Sequence, residues 1–435
     1  MHIAIVAPEA LPVPPLMGGS VEICIASIAR ELAKEHQVTV IGRRHPRLPQ
    51  REQKGSVTYV RVGAGSSAVY MRNVIRELRR GSYDLIQVDN RPRYAAAIKA
   101  AFPRQTVSLF LHSLTFVTPP RLTASKAAEL LAKPDLIIAN STSLQRELGR
   151  RFPNCRSRIR KVPLGVDLKR FRPPAREEKA AAKRKYGGGP AFTVLFVGRV
   201  IPRKGIPVLL KAMRHVYRVQ PKARVIVAGG GKRAYISGLK GLAKKLGVRA
   251  KFTGLLSHRS IDRIYRAADC FVCPSQRHEA FGLVNVEAMA SGVPVVASRI
   301  GGIGEIVKDG HNGFLVNDYR SPAALGLAIA RLAADPELAR KLGKQAREDA
   351  AQQFGWPVTA RKLAAVYGDS LHGRLRTNGI AAKSSGPAAE KTGPSENAQP
   401  ERTVLLHRAG AGKAGNAAAH IVQREGLHEA KSDSI

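Results

Sequence analysis

Two glutamates eight residues apart, Glu279 and Glu287, stand in the stretch CPSQRHEAFGLVNVEAMASGVPVVASRIGG, which runs from Cys273 to Gly302. A carboxylate has two acceptor oxygens, so Glu287 could take both hydroxyls of a vicinal diol while Glu279 meets an uncharged polar group. A helix starting near Phe281 puts Leu283 and Glu287 on one face. The amides of Gly282, Leu283 and Val284 would then sit at the positive end of that helix, suited to a phosphate. Taken alone, the two glutamates read more simply as surface residues of a loop and a helix. A second constellation, Gly198-Arg199-Val200-Ile201-Pro202-Arg203-Lys204-Gly205, follows the apolar run Thr193–Val197. Gly198 would let backbone approach a ligand, Arg199 offers a planar fork and Lys204 a point charge, a set that fits a diphosphate. A basic turn in a basic protein has the same composition. Near the start, LPVPPLMGGS (11–20) stiffens a loop with prolines and leaves room at Gly18 and Gly19 beside a helix start. It is not a dinucleotide fingerprint, because G-x-G-x-x-G is absent; a plain structural turn is an equal reading.

The elements that must hold these residues alternate. Ile3–Ala7, Val38–Ile41, Leu85–Val88, Thr106–Leu111 and Leu136–Ala139 read as buried strands, with helical patterns such as Val21–Glu35 and Leu122–Leu131 between them. Thr193–Val197, Arg224–Ala228, Cys270–Cys273, Pro294–Ala297 and Gly313–Val316 repeat the theme. Such spacing implies βαβ units, parallel sheets and an α/β class. The segment RFRPP (170–174), a charged stretch and Gly187-Gly188-Gly189-Pro190 suit a connection. The division expected is therefore 1–170, a linker at 171–190, a second domain at 191–371, and a tail at 372–435 without Phe, Tyr or Trp. That tail lacks the apolar groups to offset its ordering entropy and reads as disordered. Two doubly wound domains would face each other across a cleft, with the strand C-termini pointing into it.

In this order and spacing the pieces resemble the family 4 glycosyltransferases of GT-B fold, over roughly Met1 to Tyr367. Glu279 and Glu287 match the family's E-x7-E element; Gly198-Arg199 with Arg203-Lys204-Gly205 matches its donor-phosphate turn. Pro163-Leu164-Gly165-Val166-Asp167, Gly301-Gly302-Ile303-Gly304-Glu305 and Asp309-Gly310 with Asn312-Gly313 are similar to further landmarks. The opening LPVPPLMGGSVEICI is also similar to bacterial sequences of the spore-coat-associated glycosyltransferase type. The resemblance implies a retaining transferase that moves a sugar from a nucleotide-diphospho-sugar, without metal or bound cofactor. It places Arg199 and Lys204 on the diphosphate, Glu279 on the donor sugar and Glu287 on the ribose. Gly198 and the amides of Gly282, Leu283 and Val284 would lie by the phosphates, with Gly19 lining the same gap. His112, at the end of a strand, would reach the transferred sugar, and Glu305 is a secondary candidate.

Composition bounds the rest. The chain has 435 residues and a net charge of +40, and only three units of that excess lie in 372–435. Four cysteines exclude a disulfide scaffold, and no apolar run approaches the ~20 residues of a membrane span. The first strand-sized run has no basic leader before it, so the expected location is cytoplasmic, with peripheral contact at the inner membrane face or a spore surface. Cys270 and Cys273 have zinc-like spacing, but Cys24 and Cys155 lie in the other half, and with His258 and His278 they read as structural. The resemblance implies that 1–170 binds the acceptor and 191–371 the nucleotide-sugar donor, and basic runs of the first domain such as Arg156-Ser157-Arg158-Ile159-Arg160-Lys161 suit an anionic glycan or lipid-linked acceptor. No nucleic-acid reader motif is present. Two rival readings share the fold: a non-catalytic basic coat or polyanion-binding protein, and another enzyme such as an epimerase or phosphorylase.

Overall fold

The apolar runs become strands because each is buried on both faces, which parallel sheets covered by helices require. In the computed structural model, which describes residues 1–16, 18–187, 189–257 and 260–383, the strands of the first half are β1 (His2–Val6), β2 (Gln37–Arg43), β3 (Arg51–Lys54), β4 (Val57–Val62), β5 (Leu85–Asp89), β6 (Thr106–Leu111), β7 (Leu136–Ala139) and β8 (Ile159–Lys161). They form one sheet in the order β3-β4-β2-β1-β5-β6-β7-β8. All neighbours are parallel except the edge pair β3/β4. The second half supplies β9 (Thr193–Val197), β10 (Arg224–Ala228), β11 (Ala250–Gly254), β12 (Cys270–Cys273), β13 (Val295–Ser298) and β14 (Gly313–Val316). Their order is β11-β10-β9-β12-β13-β14, and every pairing is parallel. The α/β class and the pair of doubly wound sheets follow the sequence reading.

Four strands have no counterpart in that reading. β3 is REQK, an exposed edge, and β8 is three residues long. β4, VTYVRV, carries a charge in mid-strand: Arg61 is 1% exposed, pairs with Glu52 at 2.8 Å and donates to the carbonyls of Pro49 (2.6 Å) and Val13 (3.2 Å). A buried guanidinium is tolerated only with such partners. β11 is an only partly buried edge.

The expected linker is partly ordered: Arg176–Ala182 is a helix, and Glu178 on it pairs with Arg172 (2.8 Å) and Arg266 (3.0 Å). Lys183 reaches Asp269 at 2.5 Å, so this segment is fastened to the second sheet. The last helix among the described residues, Trp356–Lys383, runs past the boundary expected at Leu371 and crosses back to the first domain. Tyr367 Oη donates to Gln87 Oε1 at 2.6 Å, and Thr359 Oγ1 donates to Pro163 O at 3.0 Å. Trp356 lies against Gly165, where a Cβ would come 2.7 Å from the indole. The first domain is thus assembled from segments on either side of the second. Beyond Lys383, the residues read as a tail lie outside the described residues.

Candidate functional site

The basic turn leaves the C-terminal end of β9. Gly198 N donates to Ala228 O at 2.9 Å, and Val200 N to Gly230 O at 2.8 Å. The partner glycine Gly229 has φ 151°, and a Cβ there would fall onto the Gly198 carbonyl. Only glycine permits that approach, so the turn is pinned by its neighbour's lack of a side chain. A short helical turn, Pro202–Lys204, follows and carries the lysine. Lys204 Nζ forms an ion pair with Glu279 Oε2, and both side chains are largely buried, 13% and 20% exposed. Ser275 Oγ donates to the same carboxylate oxygen at 3.3 Å. Arg199 has no ion-pair partner among the described residues; partial burial and the charge of Arg203 push its pKa down, while Glu279 acts the other way.

Glu279 sits on the loop after β12, held from below by Gly301 and Gly302. Gly302 N donates to Glu279 O at 2.8 Å, and Gly301, at φ 58°, leaves no space for a Cβ beside that carbonyl. Gly282 caps the helix Leu283–Ala290, two residues later than the expected start, so its first amides belong to Leu283 and Val284. Four residues on from Leu283, Glu287 lines a 220 Å³ pocket with Leu283, Asp167, Arg170 and, from the first domain, Pro14 and Pro15. Tyr265 Oη donates to Glu287 Oε2 at 2.7 Å. Burial pushes this carboxyl up to about 7, against the pull of the Tyr265 hydrogen bond and the Arg170 charge.

That shift has a sign that can be measured. Between its ordinary 4.5 and about 7 the folded chain holds a proton on Glu287 that the unfolded chain has released. Stability contributed by this group is therefore full below the lower value and is lost as pH rises through the window. Thermal unfolding from pH 5 to 7.5 is expected to show Glu287→Gln gaining on the wild type as pH rises. A constant difference across that range would contradict the assignment.

Across the cleft, His112 follows β6 and stacks on Phe110, ring centroids 4.7 Å apart. His112 Nε2 lies 2.8 Å from Asp89 Oδ1; Gln87 Nε2 donates to Asp89 Oδ2 at 2.6 Å, and Gln87 in turn receives the Tyr367 hydroxyl. A fully buried chain thus runs from the last helix to the imidazole and fixes its orientation. The sequence reading missed Asp89, Gln87 and Tyr367. Two of them alternate along β5, and that is the one signal that could have flagged them. Gly19 caps the helix Ser20–Leu32, with the Glu22 carboxylate folded back against it. Burial pushes the Glu22 carboxyl up, and the charges of His112 and Asp89 both reach it, so Gly19 and His112 share one side of the gap.

Glu305 lies elsewhere. Its two oxygens accept from the amides of Thr142 and Ser143, both at 2.8 Å, at the start of the helix Thr142–Arg151 in the first domain. Lys161 adds an ion pair at 3.7 Å, and His278 Nε2 lies 3.2 Å from Ser143 Oγ. Glu305 therefore clasps the two domains rather than joining Glu279. Cys270 and Cys273 are buried in β12 with their thiol pKa values raised by burial. His258 lies outside the described residues. Among the described residues no three His, Cys, Asp or Glu gather as metal ligands, and no helix is long and apolar enough to cross a membrane.

Known proteins match this arrangement across both sheets. Residues 17–170 match the family described as Glycosyltransferase Family 4, and residues 177–349 the one described as Glycosyl transferases group 1. Spore coat protein SA of Bacillus subtilis (strain 168) is 31% identical over 380 residues, covering 84% of this chain and 99% of that protein. The sucrose-phosphate synthase of Thermosynechococcus elongatus superposes with a TM-score of 0.72 at 25% identity, covering 86% of this chain and 100% of that one. Alr3699/HepE of Anabaena, crystallised with UDP-glucose, superposes at 0.71 with 21% identity, covering 85% and 100%. The two doubly wound sheets agree with these matches, and the chain belongs to the family 4 glycosyltransferases of GT-B fold.

Proposed function

We propose that this glycosyltransferase takes its sugar from a nucleotide-diphospho-sugar, retains the anomeric configuration, needs no metal, and delivers the sugar to an anionic glycan, lipid-linked or cell-surface polymer acceptor. The observation that carries the reading is the Lys204–Glu279 pair beside Arg199, which has no ion-pair partner among the described residues. It sets cationic donors for a diphosphate next to a carboxylate for sugar hydroxyls. HepE, of the same fold, binds UDP-glucose. Glu287, in its pocket at the start of the helix Leu283–Ala290, receives the ribose diol, and the amides of Leu283 and Val284 meet the distal phosphate. As the bond from the anomeric carbon to the diphosphate oxygen breaks, its electron pair leaves with the phosphate, and Arg199 and Lys204 stabilise the growing charge. The acceptor hydroxyl attacks on the same face, and its proton passes to the departing phosphate oxygen. His112, held by Asp89, orients the transferred sugar from the opposite domain. Glu279 is already committed to Lys204 and Ser275, an arrangement that suits hydrogen bonding better than covalent attack. The basic body favours an anionic acceptor, presented in solution or at a membrane face.

The test is release of nucleotide diphosphate from a panel of UDP-, GDP-, ADP- and TDP-sugars, with and without EDTA, with the product's anomer read by NMR. Release from one donor, unchanged by EDTA and abolished in Glu279→Ala, is expected. Failure to bind any nucleotide-sugar would overturn the proposal in favour of a coat protein that keeps the fold without turnover, a reading to which the likeness to Spore coat protein SA gives weight.

A further inference from the structure

Beside the Lys204–Glu279 pair the second sheet's loops enclose an open basin of about 530 Å³ lined by Ile201, Pro202, Arg203, Gln276, Arg277 and Arg320. Three of the six residues are arginines, and no Asp or Glu lines the basin. None of the three guanidiniums has a hydrogen-bond or ion-pair partner among the described residues. This contrasts with Arg170, Arg172 and Arg266, each matched to a carboxylate. The three come from loops after β9, β12 and β14, at the edge of the sheet where ligands of open α/β folds bind.

A single residue ties those loops together, through its backbone N–H on one side and its side-chain amide on the other. Gln276 N donates to Arg203 O at 2.8 Å, and Gln276 Nε2 donates to Pro274 O at 2.8 Å and to Tyr319 O at 2.9 Å. The backbones that carry Arg203, Arg277 and Arg320 are thereby held in fixed relation without the guanidiniums taking part. Planar forks left free on a braced frame are prepared for carboxylate or phosphate oxygens.

Resting on the donor reading above, we propose that this basin is a subsite for the acceptor, binding a carboxylate or phosphate carried by the acceptor saccharide outside the reacting position. The donor's own diphosphate is already served by Arg199 and Lys204. The basin is open and large enough for more than one small anion, which suits an extended chain rather than a second donor group.

Titration of the full-length protein with tetragalacturonate, a glycerol phosphate tetramer and neutral maltotetraose tests this. At least one charged oligomer is expected to bind ten-fold or more tightly than the neutral one, and which of them does so identifies the anion. Arg277→Ala with Arg320→Ala should weaken that binding about ten-fold and flatten its salt dependence. Gln276→Ala, which removes no charge, should weaken it several-fold because the frame loosens. Equal binding of charged and neutral oligomers, or unchanged affinity in the double variant, overturns the subsite. An unaffected Gln276→Ala overturns the braced frame and reduces the effect to bulk charge. UDP-glucose affinity, measured on the same samples, is expected to stay within two-fold in these variants; its absence from the wild type would count against the donor reading, while the oligomer titration still judges the basin by itself.

Discussion

Lys204→Ala is expected to lower turnover by about 10²–10³-fold, the range seen when one preorganised group facing developing charge is removed. The lysine is well placed for such an effect. It is mostly buried, borne on the short turn after β9, and joined to Glu279. Water cannot readily replace it, and of the two cations proposed to meet the departing diphosphate only Arg199 would be left. A second consequence falls on Glu279, which would be left largely buried with Ser275 as its one side-chain donor among the described residues. Losses from Lys204→Ala and Glu279→Ala should therefore be far from additive, with the double variant little worse than the poorer single one. Lys204→Arg is not a conservative rescue, because a planar fork replaces a compact ammonium in a confined space. Nucleotide diphosphate release under saturating donor measures the wild type and the four variants, and circular dichroism confirms that each is folded. A Lys204→Ala enzyme within ten-fold of wild type would remove the lysine from the chemistry.

Trp356→Ala should cost about 3–5 kcal/mol of stability, as large aromatic truncations in cores do. The indole is 4% exposed and opens the helix that crosses back to the first domain. It fills the space above Gly165, one residue from the bridge between Val166 and Gly355. Its loss would leave a void where the two halves of the chain are stitched, and the midpoint of urea unfolding should fall accordingly. Gly165→Ala probes the same contact from the other side, through overlap instead of a void. A midpoint unchanged in Trp356→Ala would mean that the helix is held by its other contacts alone.

Much of this architecture was legible in the residues because it rests on local rules. Runs such as LIIA and CFVC have no polar face to offer water, so they had to be buried strands. The strands that went unread broke that rule: β4 hides Arg61 among carbonyls and Glu52, which no alternation of apolar residues announces. The site followed the same division. Glu279, Glu287, Arg199 and Lys204 were visible as types at fixed spacing, and the structure brings Lys204, Glu279 and Arg199 together. What spacing could not reveal was pairing at long range. Asp89 behind His112, and Tyr367 behind Gln87, meet across 23 and 280 residues. Glu305 stood out by its place in a motif, yet its oxygens meet the amides of another domain.

The returning helix also dictates an order of events at the ribosome. The first sheet leaves the exit tunnel early, yet Gln87, Pro163 and Gly165 wait for partners that are translated only after residue 355. The second sheet, whose strands all fall between Thr193 and Val316, can close while synthesis is still under way. Domains generally form in the order in which they emerge; here the earlier one can finish only after the later one has emerged. A nascent chain stalled before Trp356 would present an open apolar seam to chaperones. The histidine's buried bracing would also be incomplete, so this enzyme gains its competent geometry only once the returning helix has emerged.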